Sequence, residues 1–81
     1  MHLNTYIAPA NEPGAVLTRY GKPCRRLEAA RHRLTRLDAD LHLQQAEIRA
    51  VLPNGTERLL AVLADGRIVT VWDVVPAIAN N

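Results

Sequence analysis

The sequence lacks residues that several common classes of protein need. Its 81 residues contain no serine and no phenylalanine, and only one cysteine, one tryptophan and two tyrosines. Serine-nucleophile chemistry is therefore excluded, and the single cysteine, Cys24, excludes an internal disulfide. The four glycines all stand in turn-like contexts, so the chain has no glycine-rich phosphate-binding loop. The core of such a chain has to be aliphatic.

The chain is short, and it contains no long apolar run. Eighty-one residues predict a single domain, 1–81, near the lower size limit for folding without disulfides or metals. Residues 59–64 form the longest apolar run, far below the length of a membrane-spanning helix. No signal-like stretch is seen at the N-terminus, and cysteines cannot pair. We therefore expect a cytoplasmic protein with no membrane partner.

Positive charge is concentrated in one stretch of the chain. Seven of the ten Lys and Arg side chains lie in residues 19–36, where only Glu28 opposes them. This stretch carries +6, residues 1–18 carry −1 and residues 37–81 carry −3, which add to the formal charge of +2. A one-sided cationic segment indicates an anionic partner, either an acidic protein surface or nucleic acid. Nine Arg against one Lys is typical of GC-rich coding sequence and suggests a bacterium or a phage.

The N-terminal part of the sequence predicts a β element. A turn with Pro and Gly at residues 11–14 separates residues 2–8 from residues 15–20. The second segment alternates β-branched and aromatic residues, so we expect a short strand that ends at Gly21. Residues 2–8 are expected to pair with this strand as a loose hairpin.

From Cys24 onward the spacing of apolar residues changes to that of a helix. Residues 24–37 predict an amphipathic helix with an arginine face beside its apolar stripe. The stripe consists of Leu27, Ala30, Leu34 and Leu37. Residues 41–52 are rich in helix formers, and Asp38 suits a helix N-cap. We therefore expect a break at 38–40 and a second helix over 41–52, packed on the first.

A second interpretation of the same region is one long helix. Heptad spacing continues from residue 27 to residue 48, which permits a helix over 24–52 that dimerises as a short coiled coil.

Residues 53–56 predict a loop that leads into a strand. Pro53 lacks the N–H that a two-residue hairpin around Asn54 and Gly55 requires.

The C-terminal part contains the clearest local signal. Asp65-Gly66 stands between apolar runs at 57–64 and 67–75, and it predicts a β-hairpin with a type I′ turn. Counting from the turn places Leu63 opposite Ile68, Ala61 opposite Thr70, Leu59 opposite Trp72, and Arg58 opposite Asp73. The second strand is expected to end at Pro76, and residues 77–81 are expected to form a frayed tail.

The fold class predicted from these elements is α+β. It is a small single domain with an N-terminal β element, two packed helices and a C-terminal antiparallel β-hairpin. Both faces of this hairpin are apolar, whereas a half-exposed sheet alternates. One face is therefore expected to lie on the helices, and the other is expected to be covered by the N-terminal segment, a partner or a second copy in a homodimer. The expected interface consists of Leu60, Val62, Val69, Val71 and Trp72.

The function that these features favour is that of a small non-enzymatic binding or inhibitory protein. An arginine-rich helix would engage an acidic protein surface or a nucleic-acid complex, because guanidinium groups suit carboxylates and phosphates. The expected partner-binding residues are Arg25, Arg26, Arg31, Arg33 and Arg36. A structural homo-oligomer is an alternative that follows from the two apolar faces of the hairpin.

His32, Arg36 and Thr70 form the one candidate catalytic set in the sequence. A metal-independent ribonuclease needs a group that moves the 2′-hydroxyl proton and a cation that stabilises the charged phosphorane. The set resembles small bacterial toxin ribonucleases, in which a His/Arg helix precedes a sheet that ends in a Thr-Val-aromatic strand. The resemblance covers about half of the chain and implies an RNase toxin as a further alternative. Those folds carry more strands than the sequence indicates.

No cofactor and no metal are expected. The spacing of Asp38, Asp40 and His42 suits metal ligands in an extended loop better than in a helix, and aspartate near a helix start is more commonly a cap. Cys24 has no second cysteine and is interpreted as a small packing residue.

Overall fold

A computed structural model describes residues 2–72, which form one antiparallel sheet and one helix. The strands are β1 (His2–Pro9), β2 (Thr18–Arg19), β3 (Leu43–Val51), β4 (Glu57–Ala64) and β5 (Arg67–Thr70), and the helix α1 spans Leu27–Leu41. The strand order in the sheet is β2-β1-β3-β4-β5, and every neighbouring pair is antiparallel. The helix α1 packs across one side of the sheet, and no described element covers the other side, which we name the open face.

The predicted pair of helices is wrong, and so is the alternative of one long helix to residue 52. Residues 43–51 form β3, the central strand, which pairs with β1 and β4. Its Ala46, Ile48 and Ala50 are buried, while Glu47 and Arg49 lie on the open face, which is the two-residue period of a strand. Two ladders of backbone hydrogen bonds and this burial outweigh the helix propensity of Gln, Ala and Glu.

The ends of α1 also differ from the prediction. The helix begins at Leu27 rather than residue 24, because Cys24 is paired with Leu3 of β1. It continues through the expected break at 38–40 and ends where His42 takes a positive φ of 54° and donates its N–H to the Asp38 carbonyl at 2.9 Å. The Asp38 carboxylate accepts the Leu43 N–H at 2.9 Å. Asp38 therefore closes α1 instead of starting a second helix.

The two predicted hairpins are present. Tyr6 pairs with Arg19 in the N-terminal hairpin, although β2 is only two residues long. The C-terminal hairpin turns through Asp65 and Gly66, both with positive φ, and its register pairs Leu63 with Ile68 as expected. The β4–β5 ladder ends at the pair of Ala61 and Thr70, so strand pairing does not reach Leu59.

Arg58, near the end of the C-terminal hairpin, contacts an aromatic ring. The Arg58 guanidinium lies over the Trp72 ring, 3.9 Å from its centre. The predictions for Asp73, Pro76 and the tail 77–81 fall outside the described residues.

Residues 53–56 close a hairpin between β3 and β4 instead of joining a helix to a strand. The Gly55 N–H donates to the Leu52 carbonyl, and the Leu52 N–H donates to the Thr56 carbonyl, both at 2.8 Å. Gly55 has a φ of 87°, which completes a three-residue turn. Pro53 occupies a position in this turn where no N–H is needed, so its missing donor excludes only the tighter turn.

The core lies between α1 and the sheet, and it is aliphatic. Small alanines on both sides let the helix approach the central strand closely. The core consists of Leu3, Ile7, Cys24, Ala30, Leu34, Leu43, Ala46, Ile48, Ala50, Leu60, Ala61 and Ile68. Within residues 2–72, no helix has both the length and the apolar character needed to cross a membrane.

Candidate functional site

The arginines of the predicted partner-binding set do not share one face. Arg25 precedes α1 and Arg26 is its N-cap, so neither belongs to the helical arc. Arg31 and Arg33 lie on opposite flanks of the buried stripe, each roughly 80° from its centre at 100° per residue. Arg36 lies on the outer side of α1 and is exposed. The structure therefore divides the expected arginine face into separate groups.

Arg33 is bound by the protein itself. Its Nη1 donates to the hydroxyl of Thr5 at 3.0 Å, and to the carbonyls of Tyr20 at 3.3 Å and Lys22 at 2.7 Å. The Thr5 hydroxyl also donates to the Tyr20 carbonyl at 2.7 Å, and the Tyr20 N–H donates to the Thr5 carbonyl at 2.8 Å. Arg33 thus fixes the connection between β2 and α1 on β1.

Arg31 has a similar contact at the opposite edge of the sheet. Its Nη2 donates to the carbonyl of Ile68 in β5 at 3.2 Å. Because β5 is an edge strand, its outward carbonyls have no strand partner, and Arg31 occupies one of them. Both flanking arginines of α1 therefore have a structural role.

Four of the exposed cations lie on β2 and on the β2–α1 connection. We name them the cationic surface, and they are Arg19, Lys22, Arg25 and Arg26. None of them forms an ion pair with another described residue. The ion pairs within residues 2–72 are those of Arg49 with Glu47 at 2.6 Å and with Glu57 at 3.8 Å. Arg19 donates to Asn4 and lies near enough to Glu57 to lower the pKa of its carboxyl, whereas Lys22, Arg25 and Arg26 have no side-chain partner in the part of the chain that the structure describes.

The backbone beneath the cationic surface is fixed. Leu3 and Cys24 exchange two hydrogen bonds, at 2.7 and 2.8 Å. Gly21 has a φ of 72°, and a methyl group added to it would lie 3.0 Å from Nη1 of Arg33. The cations consequently project from an ordered frame, which reduces the conformational entropy that binding would cost.

An open groove of about 500 Å³ adjoins the cationic surface. Its walls include Ile7, Glu12, Val16, Thr18, Arg19 and Tyr20. The Tyr20 side chain is 42% exposed, and its hydroxyl forms no hydrogen bond with residues 2–72. The groove thus has an aromatic and apolar wall with one acid, Glu12, while the guanidinium of Arg19 is directed away from it to Asn4 on the open face.

A second polar cluster lies on the open face. Glu57 accepts hydrogen bonds from Nδ2 of Asn4 at 2.7 Å and from the Tyr6 hydroxyl at 2.6 and 2.7 Å to its two oxygens. Nη2 of Arg19 donates to Oδ1 of Asn4 at 2.8 Å. The Arg49 guanidinium lies 3.9 Å from the centre of the Tyr6 ring. These contacts join β2, β1, β3 and β4 across the open face.

The ionisation of this cluster follows from its contacts. The hydrogen bond from Asn4, then the one from Tyr6, lowers the pKa of the Glu57 carboxyl, and nearby arginines lower it further. Burial and the bond to Glu57 raise the pKa of Tyr6. The hydrogen bond to Glu47 raises the pKa of Arg49. In this cluster a charged Glu57 carboxylate accepts hydrogen bonds from a neutral tyrosine and from Asn4, so most of the polar groups of the cluster bind one another.

Sequence reasoning missed this cluster for a definite reason. The alternation of Asn4 and Tyr6 along β1 is visible in the sequence, but Arg49, which lies over the Tyr6 ring, belongs to a segment that the sequence predicts as a helix. Glu47 and Arg49 alternate with buried residues, and this two-residue period is the signal that could have revealed the open face.

The structure does not bring the alternative catalytic set together. His32 and Arg36 are exposed on the side of α1 that faces away from the sheet, whereas Thr70 ends β5. Among the described residues, no hydrogen bond joins any two of the three. The ribonuclease alternative therefore stays a prediction from the sequence.

The expected interface residues are divided between the core and the surface. A β-bulge in the β3–β4 ladder shifts the alternation of β4, and Leu60 is only 2% exposed. Trp72 packs against the core as well. The members left wholly or partly at the surface are Val62, Val69 and Val71.

Neither a metal centre among the described residues nor a likeness to known proteins indicates a function. Within residues 2–72, no three His, Cys, Asp or Glu side chains converge in a way that could hold a metal ion. Comparisons with protein-family models, with curated proteins and with solved structures found no match. The charge and geometry of the chain itself therefore have to carry the functional interpretation.

Proposed function

We propose that this protein is a small non-enzymatic binding protein that docks on an anionic macromolecule through the cationic surface. The observation that supports the proposal is a group of four exposed cations without ion partners among residues 2–72, on a fixed backbone. An anionic partner supplies the missing counter-charges and is attracted over a distance. By occupying its partner's surface, the protein acts as an inhibitory or accessory factor of a bacterium or phage.

The proposal changes the residue set expected from the sequence. Arg25 and Arg26 stay at the centre of the binding surface, and Lys22 joins them. Arg19 lies at its margin, because its guanidinium also binds Asn4 at 2.8 Å. Arg31 and Arg33 are removed because their guanidinium groups already bind backbone carbonyls. Arg36, on the outer side of α1, contributes only to the long-range field of the protein.

Charge reversal at one residue tests the cationic surface. Arg26→Glu and Arg67→Glu change the net charge by the same amount, and both residues are exposed. Arg67 lies on β5, at the opposite edge of the sheet from the cationic surface. The probe is heparin, a sulfated polyanion, and the readout is the salt concentration that elutes each variant from a heparin column.

We expect Arg26→Glu to elute at clearly lower salt than the unaltered protein, and Arg67→Glu to elute close to it. The double change Arg25→Glu with Arg26→Glu should shift elution further. Neither residue makes a described side-chain hydrogen bond, so circular dichroism should stay unchanged. Equal shifts for Arg26→Glu and Arg67→Glu would mean that net charge alone governs binding, and the proposed surface would be wrong.

A further inference from the structure

A polar cavity of about 490 Å³ lies on the open face, beside the β2–α1 connection. Its volume falls within the range of small-molecule sites, roughly 300–1,000 Å³. The polar and apolar residues that line it include His2, Asn4, Tyr6, Arg19, Val51 and Glu57. The pairing of the strands brings them together, because Arg19 stands opposite Tyr6 and Val51 stands between His2 and Glu57. The cavity therefore lies over β1 and β3, with β2 on one side and β4 on the other.

The cavity holds one cation and one anion at opposite ends of the Asn4 carboxamide. Nη2 of Arg19 donates to Oδ1 of Asn4 at 2.8 Å, and Nδ2 of Asn4 donates to Glu57 at 2.7 Å. One carboxamide and two hydrogen bonds join the guanidinium to the carboxylate, so the two charges are at most about 8 Å apart. Asn4 is only 5% exposed, and its buried amide fixes this spacing.

Both charged groups keep hydrogen-bonding capacity after these contacts. A guanidinium carries several N–H donors, and the described contacts of Arg19 use one of them. A carboxylate has about four lone-pair sites, and at Glu57 the Asn4 amide and the single hydroxyl proton of Tyr6 fill two of them. Nη1 of Arg49 lies 3.8 Å from Glu57, beyond hydrogen-bonding distance. The cavity can therefore donate to an anionic group and accept from a cationic group at the same time.

The ligand that suits these groups carries both charges. A polyanion would bring negative charge against the ionised Glu57, and a simple amine would bring positive charge against Arg19. An α-amino acid carries a carboxylate and an ammonium group on one carbon, and it spans about 8 Å from partner to partner when each hydrogen bond is about 2.8 Å long. Val51 and Pro23 add apolar wall beside the charged groups, where the side chain of such a ligand would lie.

We infer that this cavity binds a free α-amino acid with an apolar side chain, its carboxylate on Arg19 and its ammonium group on Glu57. The side chain of the ligand lies against Val51 and Pro23. This site goes beyond the proposed function, because it uses the open face and not the arginines that precede α1.

The test is an NMR titration of the isotope-labelled protein with four probes. They are leucine, N-acetyl-leucine without the ammonium charge, leucinamide without the carboxylate, and glycine without the side chain. Leucine should shift the amide signals of Asn4, Val51 and Gly55, which line the cavity. Each blocked form of leucine should bind at least about 10-fold more weakly, because it loses one charge-assisted hydrogen bond. Glycine should also bind more weakly, because it buries no apolar surface.

Two variants assign each end of the ligand to its partner. Glu57→Gln keeps the shape of the side chain, and it should weaken binding of leucine about 10-fold while leaving N-acetyl-leucine nearly unaffected. Arg19→Gln should weaken binding of leucine by a similar factor while leaving leucinamide nearly unaffected. Arg67→Gln is the matched control, because it removes the same charge from an exposed position on β5, and it should bind leucine as the unaltered protein does.

Urea unfolding shows whether each variant retains the fold. The comparison of the four probes on the unaltered protein needs no variant, so it decides the question even where a variant unfolds.

The inference is wrong if leucine shifts none of the three amide signals, or if either blocked form binds as tightly as leucine. Equal losses of leucine affinity for Arg19→Gln and Arg67→Gln would also overturn it, because net charge and not the cavity would then govern binding. Glycine that binds as tightly as leucine would contradict the preference for an apolar side chain. These results are independent of the cationic surface, which the heparin column tests with Arg26→Glu.

Discussion

At each edge of the sheet, one arginine of α1 reaches down to the outermost chain segment. Arg33 binds the segment that follows β2 through two backbone carbonyls and the hydroxyl of Thr5. Arg31 binds β5 through the single carbonyl of Ile68. The β2 edge then carries four exposed cations, whereas the β5 edge carries Arg67 beside exposed apolar side chains.

The difference shows which arginines of a basic segment are free to bind a partner. A guanidinium on the flank of a helix, next to its buried stripe, lies within reach of the sheet and is used by the fold. A guanidinium placed before the helix start is held away from the sheet and stays exposed. Location relative to the buried stripe, and not charge density in the sequence, separates Arg31 and Arg33 from Arg25 and Arg26.

The largest expected effect concerns the two edge arginines. Arg33→Ala removes three hydrogen bonds and takes the side-chain donor from the Lys22 carbonyl and the Thr5 hydroxyl, while the Tyr20 carbonyl keeps its bond from Thr5. We therefore expect a loss of about 2–3 kcal/mol in the free energy of unfolding. Arg31→Ala removes one hydrogen bond at an exposed edge, and we expect a loss of about 1 kcal/mol. Urea unfolding followed by the fluorescence of the single tryptophan measures both values.

Arg36→Ala is the matched control for these two changes. Its side chain has no hydrogen bond to a described residue, so its unfolding free energy should stay within about 0.5 kcal/mol of the unaltered protein. A similar loss for Arg31→Ala and Arg33→Ala would show that the edges are held equally, and the contrast between them would disappear.

A smaller effect is expected at Gly21. Gly21→Ala strains the backbone, because the residue has a positive φ, and its added methyl group would lie 3.0 Å from the Arg33 guanidinium. Gly14 has a similar φ of 77° with open space around it, so Gly14→Ala is destabilised by backbone strain alone. We expect losses of about 1–2 kcal/mol for Gly21→Ala and about 1 kcal/mol for Gly14→Ala, measured by thermal unfolding.

The Arg33→Ala background isolates the contact at Gly21. Without the guanidinium, the cost of Gly21→Ala should fall to that of Gly14→Ala. An unchanged cost in that background would mean that Arg33 does not press on the connection, and that another feature orders the β2 edge.

Local signals in the sequence predicted the hairpins correctly, but not the central strand. Asp65 and Gly66 specify a turn by their own conformational preferences, so the register of β4 and β5 follows by counting. β3 has no such signal. Its Gln, Ala and Glu residues favour a helix, and pairing with β4 and with β1, about 40 residues away in the chain, makes it a strand.

The same limit explains which part of the candidate site was predictable. The concentration of cations in residues 19–36 is a property of composition and could be read directly. The start of α1 depends on the pairing of Cys24 with Leu3, a contact between distant segments, and this start decides whether Arg25 and Arg26 lie on the helix. The exposure of Tyr20 depends on the same long-range contacts.

The smallest expected effect is a pH dependence that belongs to the β2 side of the sheet. Glu57 holds Asn4, which accepts a hydrogen bond from Arg19 of the cationic surface. Because these contacts lower the pKa of Glu57 in the folded state, its charged form stabilises the fold above the usual glutamate pKa. This stability is lost as the pH falls from the usual glutamate pKa through the lowered pKa of the folded state.

Glu57→Gln should therefore lose less stability than the unaltered protein over that interval, when unfolding free energies are compared at each pH. The Glu57 side chain is 28% exposed, so solvent screening keeps the difference below about 1 kcal/mol. Arg31→Ala should show the pH dependence of the unaltered protein, because its contact at the β5 edge includes no acid. Parallel curves for Glu57→Gln and the unaltered protein would show that the open-face carboxylate does not stabilise the β2 side through its charge.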